Sequence, residues 1–196
     1  MKTILYLHGF AGSGASGTAT SMRNALYEQG VQVIAPDLPV MPAEAMTFLR
    51  QQVETLQPDL IAATSMGAMY AEQLRGHLRI LVNPSFCMAR LLTFGGMGRK
   101  PFRNPRQDGA KDFKVDKEMI NQFKEVEKHS FEGITADDRE LVYGLFGDHD
   151  RRVNCQPQFK KAYGNNHFSL FDGEHYLNDA VLKKTVLPLV KQLLQL

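Results

Sequence analysis

The chain has 196 residues, 43% of them hydrophobic and 22% charged, with a formal net charge of +2. That length suits one domain with a sizeable core and is short for two. The composition excludes a disordered or fibrous chain, and so small a charge gives no reason to expect nucleic acid.

From the N-terminus, Thr3 to Leu7 is an apolar run that ends at Gly9, and Ser21 to Gln29 carries a helical pattern closed by Gly30. Val31 to Ala35 is a β-rich run stopped by Pro36, and Ala43 to Leu56 is a helix-forming segment stopped by Pro58. Asp59 to Ala63, a helix from Met66 to Arg75, and Arg79 to Asn83 continue the alternation. It then breaks from Ser85 to about Arg139, where a helix is expected at Asp116 to Lys128. Glu140 to Phe146, Pro157 to Tyr163, His167 to Phe171 and Asn178 to Leu194 resume it as strand, helix, strand and helix. Strands alternating with helices imply right-handed crossovers and a mostly parallel six-stranded sheet covered on both faces. The interruption at about 85–138 then reads as a small helical lid or cap within a single domain 1–196, since long interruptions in compact domains are often functional.

Lys2 followed by Ile4-Leu5-Tyr6-Leu7 is too short an apolar run for a signal peptide and is broken by His8-Gly9. No stretch approaches a membrane span. Cys87 and Cys155 lie far apart with no C-x-x-C spacing, which fits a reducing compartment, and a cytoplasmic location is expected.

Ala63-Thr64-Ser65-Met66-Gly67 places a serine between small residues where a strand gives way to a helix. This is the setting of a nucleophile elbow, whose G-x-S-x-G pattern is met here except that alanine stands for the first glycine. A serine that merely caps the following helix fits the same five residues. Two readings also compete at the first turn. Gly12-Ser13-Gly14-Ala15-Ser16-Gly17 is a literal G-x-G-x-x-G with Asp37 after the second strand, but His8-Gly9-Phe10-Ala11 separates it from the first strand, where a dinucleotide fingerprint needs close approach. A phosphate-binding loop fails because Ala15 stands where its lysine belongs. Leu7-His8-Gly9-Phe10 suits acyl transfer better. That chemistry needs two backbone N–H groups aimed at the developing oxyanion, and Phe10 and Met66 are placed to supply them. Gly9 gives the loop its freedom to approach, and His8, like Gly67, is expected to support the turn rather than to react.

A serine hydroxyl needs a base and a group that orients the base. Two candidate segments follow the late strands, Gly147-Asp148-His149-Asp150-Arg151-Arg152-Val153 and Asp172-Gly173-Glu174-His175-Tyr176. Both lie at C-terminal strand ends, where open α/β sheets bind ligands. His175 would take the proton of Ser65, with Asp150 or Asp148 holding its imidazole. His167 starts its strand, at the wrong end of the sheet, and His149 is too near the acid candidates in sequence.

With these motifs in place, the chain resembles the α/β-hydrolase superfamily, and most of all the small YqiA/YcfP type of bacterial esterase. The resemblance rests on Leu7-His8-Gly9-Phe10, Thr64-Ser65-Met66-Gly67, Gly147 to Val153 and Gly173 to His175. It implies a compact three-layer α/β-hydrolase fold lacking the first two strands, and esterase or thioesterase activity. It favours Asp150, because Gly147, Asp150 and Val153 match the G-x-x-D-x-x-V arrangement common after this strand. The expected function is therefore a serine hydrolase of a small acyl ester or thioester, with Ser65, Asp150 and His175 as catalytic residues. The alternative is a non-catalytic binding protein on the same fold.

In the interruption, Phe86, Met88, Leu91, Phe94 and Met97 are expected to line an acyl pocket, although a helical insertion also needs apolar residues for its own core. Arg90, Arg99, Lys100, Arg103 and Arg106 make the same segment basic, as a solvated surface or as an attraction for anionic substrates. No cofactor and no metal are expected, since neither H-E-x-x-H nor paired C-x-x-C occurs. Nothing in the sequence sets an oligomeric state.

Overall fold

A computed structural model describes residues 1–196. Strand β1 (Lys2–Leu7) leads into helix α1 (Gly17–Leu26), β2 (Val31–Ile34), α2 (Pro42–Leu56), β3 (Leu60–Thr64), α3 (Met66–Glu72) and β4 (Arg79–Val82). The interruption holds α4 (Met88–Gly95), β5 (Gly98–Pro101), β6 (Asp112–Val115), α5 (Lys117–Lys128) and α6 (Ala136–Glu140). The chain then returns through β7 (Val142–Gly147), α7 (Gln156–Tyr163) and β8 (Phe168–Phe171) to a long terminal helix. The main sheet has six strands in the order β2-β1-β3-β4-β7-β8, and every pairing in it is parallel.

A strand sends successive side chains to opposite faces, so a sheet covered on both faces needs apolar residues at consecutive positions. On one face Leu5, Leu7, Ile61, Ala63, Leu81 and Phe146 pack against α2, α3, α5 and α7. On the other, Ile4, Tyr6, Leu60, Ala62, Ile80, Val82 and Leu145 meet α1 and the terminal helix. The strands are short and continuously apolar for that reason. The parallel register, in which Leu7 pairs with Ala63 and Thr64 with Val82, brings their C-terminal ends to one edge.

Two local differences from the sequence expectation have physical causes. The expected helix 178–194 consists of α8 (Asp179–Val181), a π-helical turn at Leu182–Val186 and α9 (Leu187–Leu194). Pro188 has no N–H to donate to the preceding turn, and the widened turn before it accommodates the loss. The interruption is helical at α4 and α5, but β5 and β6 also form an antiparallel hairpin. Gly98-Arg99-Lys100-Pro101 and Asp112-Phe113-Lys114-Val115 are too short, too charged and too far apart to announce strands.

At the N-terminal edge of the sheet, Arg79 is fully buried. Its guanidinium donates to the Asp138 carboxylate and to the Glu72 carbonyl oxygen. The buried Glu72 carboxylate accepts from Arg75 Nη1 at 2.7 Å, Tyr163 Oη at 2.5 Å and the Phe131 amide at 3.1 Å. These bonds tie α3, β4, α6 and α7 together at the edge away from Ser65.

Candidate active site

Ser65 joins β3 to α3 with φ 53° and ψ −118°, a conformation that L-residues hold only when their surroundings impose it. Gly67 is part of that imposition: a Cβ there would lie 2.5 Å from the Leu7 carbonyl oxygen, so only glycine lets α3 start this close to β1. Ala63 is 1% exposed and keeps its methyl group in the core. Although Ser65 occupies the cap position of α3, its side chain makes no capping bond. Its Oγ instead lies 2.9 Å from His175 Nε2.

His175 Nδ1 lies 2.7 Å from Asp150 Oδ2. The other oxygen of Asp150 accepts from the Arg152 and Val153 amides at 2.8 and 3.0 Å, so the carboxylate is fixed and its free edge faces the imidazole. The His175 and Asp150 side chains are 7% and 4% exposed. Asp148 points elsewhere, is exposed, and accepts from the Gly173 amide at 3.1 Å. The two loops touch so closely that a Cβ on Gly147 would fall 2.4 Å from the Gly173 carbonyl oxygen.

The Gly9-Phe10 turn lies against the serine: a Cβ on Gly9 would sit 3.3 Å from Ser65 Cβ and 3.8 Å from its Oγ. The Phe10 and Met66 amides make no hydrogen bond within the protein. His8 holds the turn from behind. Its Nδ1 donates to the Gly9 carbonyl at 2.9 Å and its Nε2 accepts from the Leu38 amide at 3.1 Å, which fixes one neutral tautomer. Burial lowers its pKa below the ordinary value, against the opposing pull of the Gly9 carbonyl.

Two residues of the site lie outside the sequence expectation. Asn83, with φ 45°, donates through Nδ2 to the Glu174 and His175 carbonyls, both at 3.0 Å, and accepts from the Gly147 amide at 2.7 Å. One side chain thus links the end of β4 to the loops that carry Asp150 and His175. Ser85 is fully buried, places its Oγ 3.1 Å from Ser65 Oγ and donates its amide to the Ser65 carbonyl. A polar residue directly after an apolar strand, before Pro84, was the available signal for Asn83.

A cavity of about 450 Å³ opens over Ser65 and His175. Met88 and Leu91, expected there, line it together with Leu92, Tyr6, Phe10 and Val153. The expectation is corrected for three residues. Phe86 turns into the core with its ring 4.6 Å from that of Phe131. Phe94 and Met97 project outward, 84% and 55% exposed, because Phe94 occupies the far face of α4 and Met97 lies in the turn between α4 and β5.

The remaining candidates have other partners. His149 lies at the surface, 3.4 Å from both Asp148 and Asp172; these three exposed residues bring possible ligand atoms within 4.8 Å of one another. His167 stacks on Tyr143 at 4.1 Å. Asp37 accepts from the Gly14 and Gln107 amides, both at 2.7 Å, and a Cβ on Gly14 would collide with the Ala35 carbonyl. The glycine loop is therefore closed against its own fold rather than open to a pyrophosphate. No helix is long and apolar enough to cross a membrane.

Several solved structures share this architecture. Est1E from Butyrivibrio proteoclasticus is 16% identical with a TM-score of 0.65, over 100% of this chain and 89% of that one. Alpha/beta hydrolase domain-containing protein 10 from mouse is 14% identical with a TM-score of 0.64, over 97% and 90%. The esterase domain of a Rhodothermus marinus protein is 17% identical with a TM-score of 0.62, over 97% and 86%. At such identities the likeness concerns the fold, which is that of the α/β-hydrolases. A family model, described as Uncharacterised protein family (UPF0227), matches residues 3–178. Since that match takes in the glycine turn, the elbow, and the acid and histidine loops alike, the chain belongs to UPF0227, the YqiA/YcfP-type esterase family.

Proposed function

We propose that this protein is a serine hydrolase that cleaves a carboxylic ester or thioester of a small acyl substrate through an acyl-enzyme on Ser65. The observation that carries this reading is the unbroken relay from Ser65 Oγ to His175 Nε2 at 2.9 Å and from His175 Nδ1 to Asp150 Oδ2 at 2.7 Å. Ser65 attacks the acyl carbon as His175 takes its proton, and Asp150 keeps the imidazole in the accepting tautomer and stabilises the cation that forms. The Phe10 and Met66 amides receive the negative charge that develops on the carbonyl oxygen. Collapse of the tetrahedral intermediate passes the proton from His175 to the departing alcohol or thiol. Water, activated by the same histidine, then releases the acid and restores Ser65. The Rhodothermus marinus esterase domain among the structural relatives supports the reading.

A fluorophosphonate probe tests it. The native chain is expected to be labelled on Ser65 and to hydrolyse 4-nitrophenyl butyrate, with both properties lost in Ser65→Ala and His175→Ala. A folded native chain that neither reacts with the probe nor turns over the ester would point to a binding protein on the same fold.

A further inference from the structure

Of the five basic residues in the interruption that sequence singles out, three are occupied. Arg99 pairs with Asp112, Arg106 pairs with Asp108 and donates to the Leu38 carbonyl, and Lys100 donates to the Gly95 carbonyl. Arg90 is absent from the cavity wall, and Arg103 is part of it. A second guanidinium, Arg152, joins the wall from the loop that carries Asp150. These are the only two charged side chains of fixed sign lining the cavity, and no carboxylate lines it. Neither arginine has a carboxylate within salt-bridge reach, whereas Arg75, Arg79, Arg99 and Arg106 all do.

Both guanidiniums are organised by Tyr176, the neighbour of His175. The Arg103 carbon centre lies 4.7 Å from the centroid of its ring and that of Arg152 lies 5.1 Å from it. Arg103 Nη2 also donates to the Tyr176 hydroxyl at 2.8 Å, and the Arg103 amide donates to the Ala11 carbonyl at 2.8 Å. Two like charges gathered over one ring repel each other, and an anion between them relieves that repulsion while using donors that no protein group occupies. The ring of Tyr176 stands 5.2 Å from that of His175, so an anionic group here is close enough to Ser65 to be part of a small substrate.

We infer that Arg103 and Arg152, held by Tyr176, form a subsite for a carboxylate or phosphate group carried by the substrate, making the preferred substrate an anionic ester or thioester. This inference rests on the hydrolase reading above and adds the substrate class to it. The anion can sit on the acyl part or on the leaving group, and matched pairs separate the two: the mono-4-nitrophenyl ester of glutaric acid against 4-nitrophenyl butyrate, and butyryl-phosphopantetheine against butyryl-pantetheine.

At low salt the native chain is expected to favour the anionic member of at least one pair by about tenfold in kcat/KM, the scale of a charge-assisted contact. The preference should shrink with ionic strength and fall to near one in the Arg103→Gln, Arg152→Gln double variant. Equal turnover of both members in both pairs, or a preference that survives the double substitution, overturns the inference. Calorimetry on the Ser65→Ala chain gives an answer that does not need turnover. Tighter binding of an anionic member, lost when both arginines become glutamine, upholds the subsite even if the hydrolase reading fails; equal binding of anionic and neutral members removes it.

Discussion

Asp148 and Asp150 stand two residues apart on one loop, and geometry separates their roles. Asp150 holds the imidazole from a nearly buried position, whereas Asp148 braces the Gly173 amide in solvent. Asp150→Asn places a donor against His175 and stabilises the wrong tautomer, so kcat for 4-nitrophenyl butyrate is expected to fall about 10³- to 10⁴-fold. Asp148→Asn keeps an acceptor for Gly173 and is expected to change kcat by less than about threefold; steady-state kinetics on the two variants decide between them. His8 gives a pH prediction. Because burial holds its folded pKa below the ordinary value of 6.5, the unfolded chain takes up a proton first as pH falls. The stability that neutral His8 contributes is full above that value and drains away as pH drops toward the folded one. Urea unfolding at several pH values between about 7.5 and 5.5 should show native stability declining more steeply than that of His8→Gln; parallel curves would mean that His8 does not contribute.

The elbow depends on how two elements meet, because Ser65 holds its conformation only while α3 starts against the end of β1. Gly67→Ala drives a methyl group into the Leu7 and His8 carbonyls, and overpacking of this kind costs about 1–3 kcal/mol. Both stability and kcat should drop, since the helix must retreat and carry the Met66 amide with it. Ala63→Gly restores the more usual motif residue, yet Ala63 is already accommodated in the core. That substitution is expected to cost about 0.5–1 kcal/mol through chain flexibility and to leave kcat no higher; chemical denaturation and kinetics test both halves. The elbow was legible in sequence because steric demands confine it to small residues at fixed spacing. Asn83 left only the mark of a polar residue after an apolar strand and Ser85 none, because their roles arise only when β4, β7 and the histidine loop converge across long sequence separations. The cavity wall was legible only in part: Met88 and Leu91 face the cavity, but composition does not say which side of α4 turns inward, and Phe94 points outward.

For the whole molecule, the alternation of short apolar runs with helical segments carries the sheet and its coverage, since burial on both faces leaves a direct mark on composition. The hairpin β5–β6 leaves no such mark, being half solvated and charged. Nor does the polar cluster at the N-terminal edge, where Glu72 and Arg79 sit within stretches that otherwise read as ordinary helix and strand. That cluster lies at the opposite edge of the sheet from the proposed catalytic groups: Ser65, Asp150 and His175 follow C-terminal strand ends, and the buried charges hold the N-terminal edge. Glu72→Ala strips partners from the Arg75 guanidinium, the Tyr163 hydroxyl and the Phe131 amide at once. Breaking a buried ionic network from one side costs about 3–5 kcal/mol, a large share of the stability of a single domain. Glu72→Gln keeps an acceptor for Tyr163 and should fall between the native chain and Glu72→Ala in urea unfolding. The folded fraction of either variant, counted by fluorophosphonate labelling at low temperature, is expected to retain native kcat per labelled site. A loss of kcat per site with stability intact would mean that the two edges of the sheet are coupled.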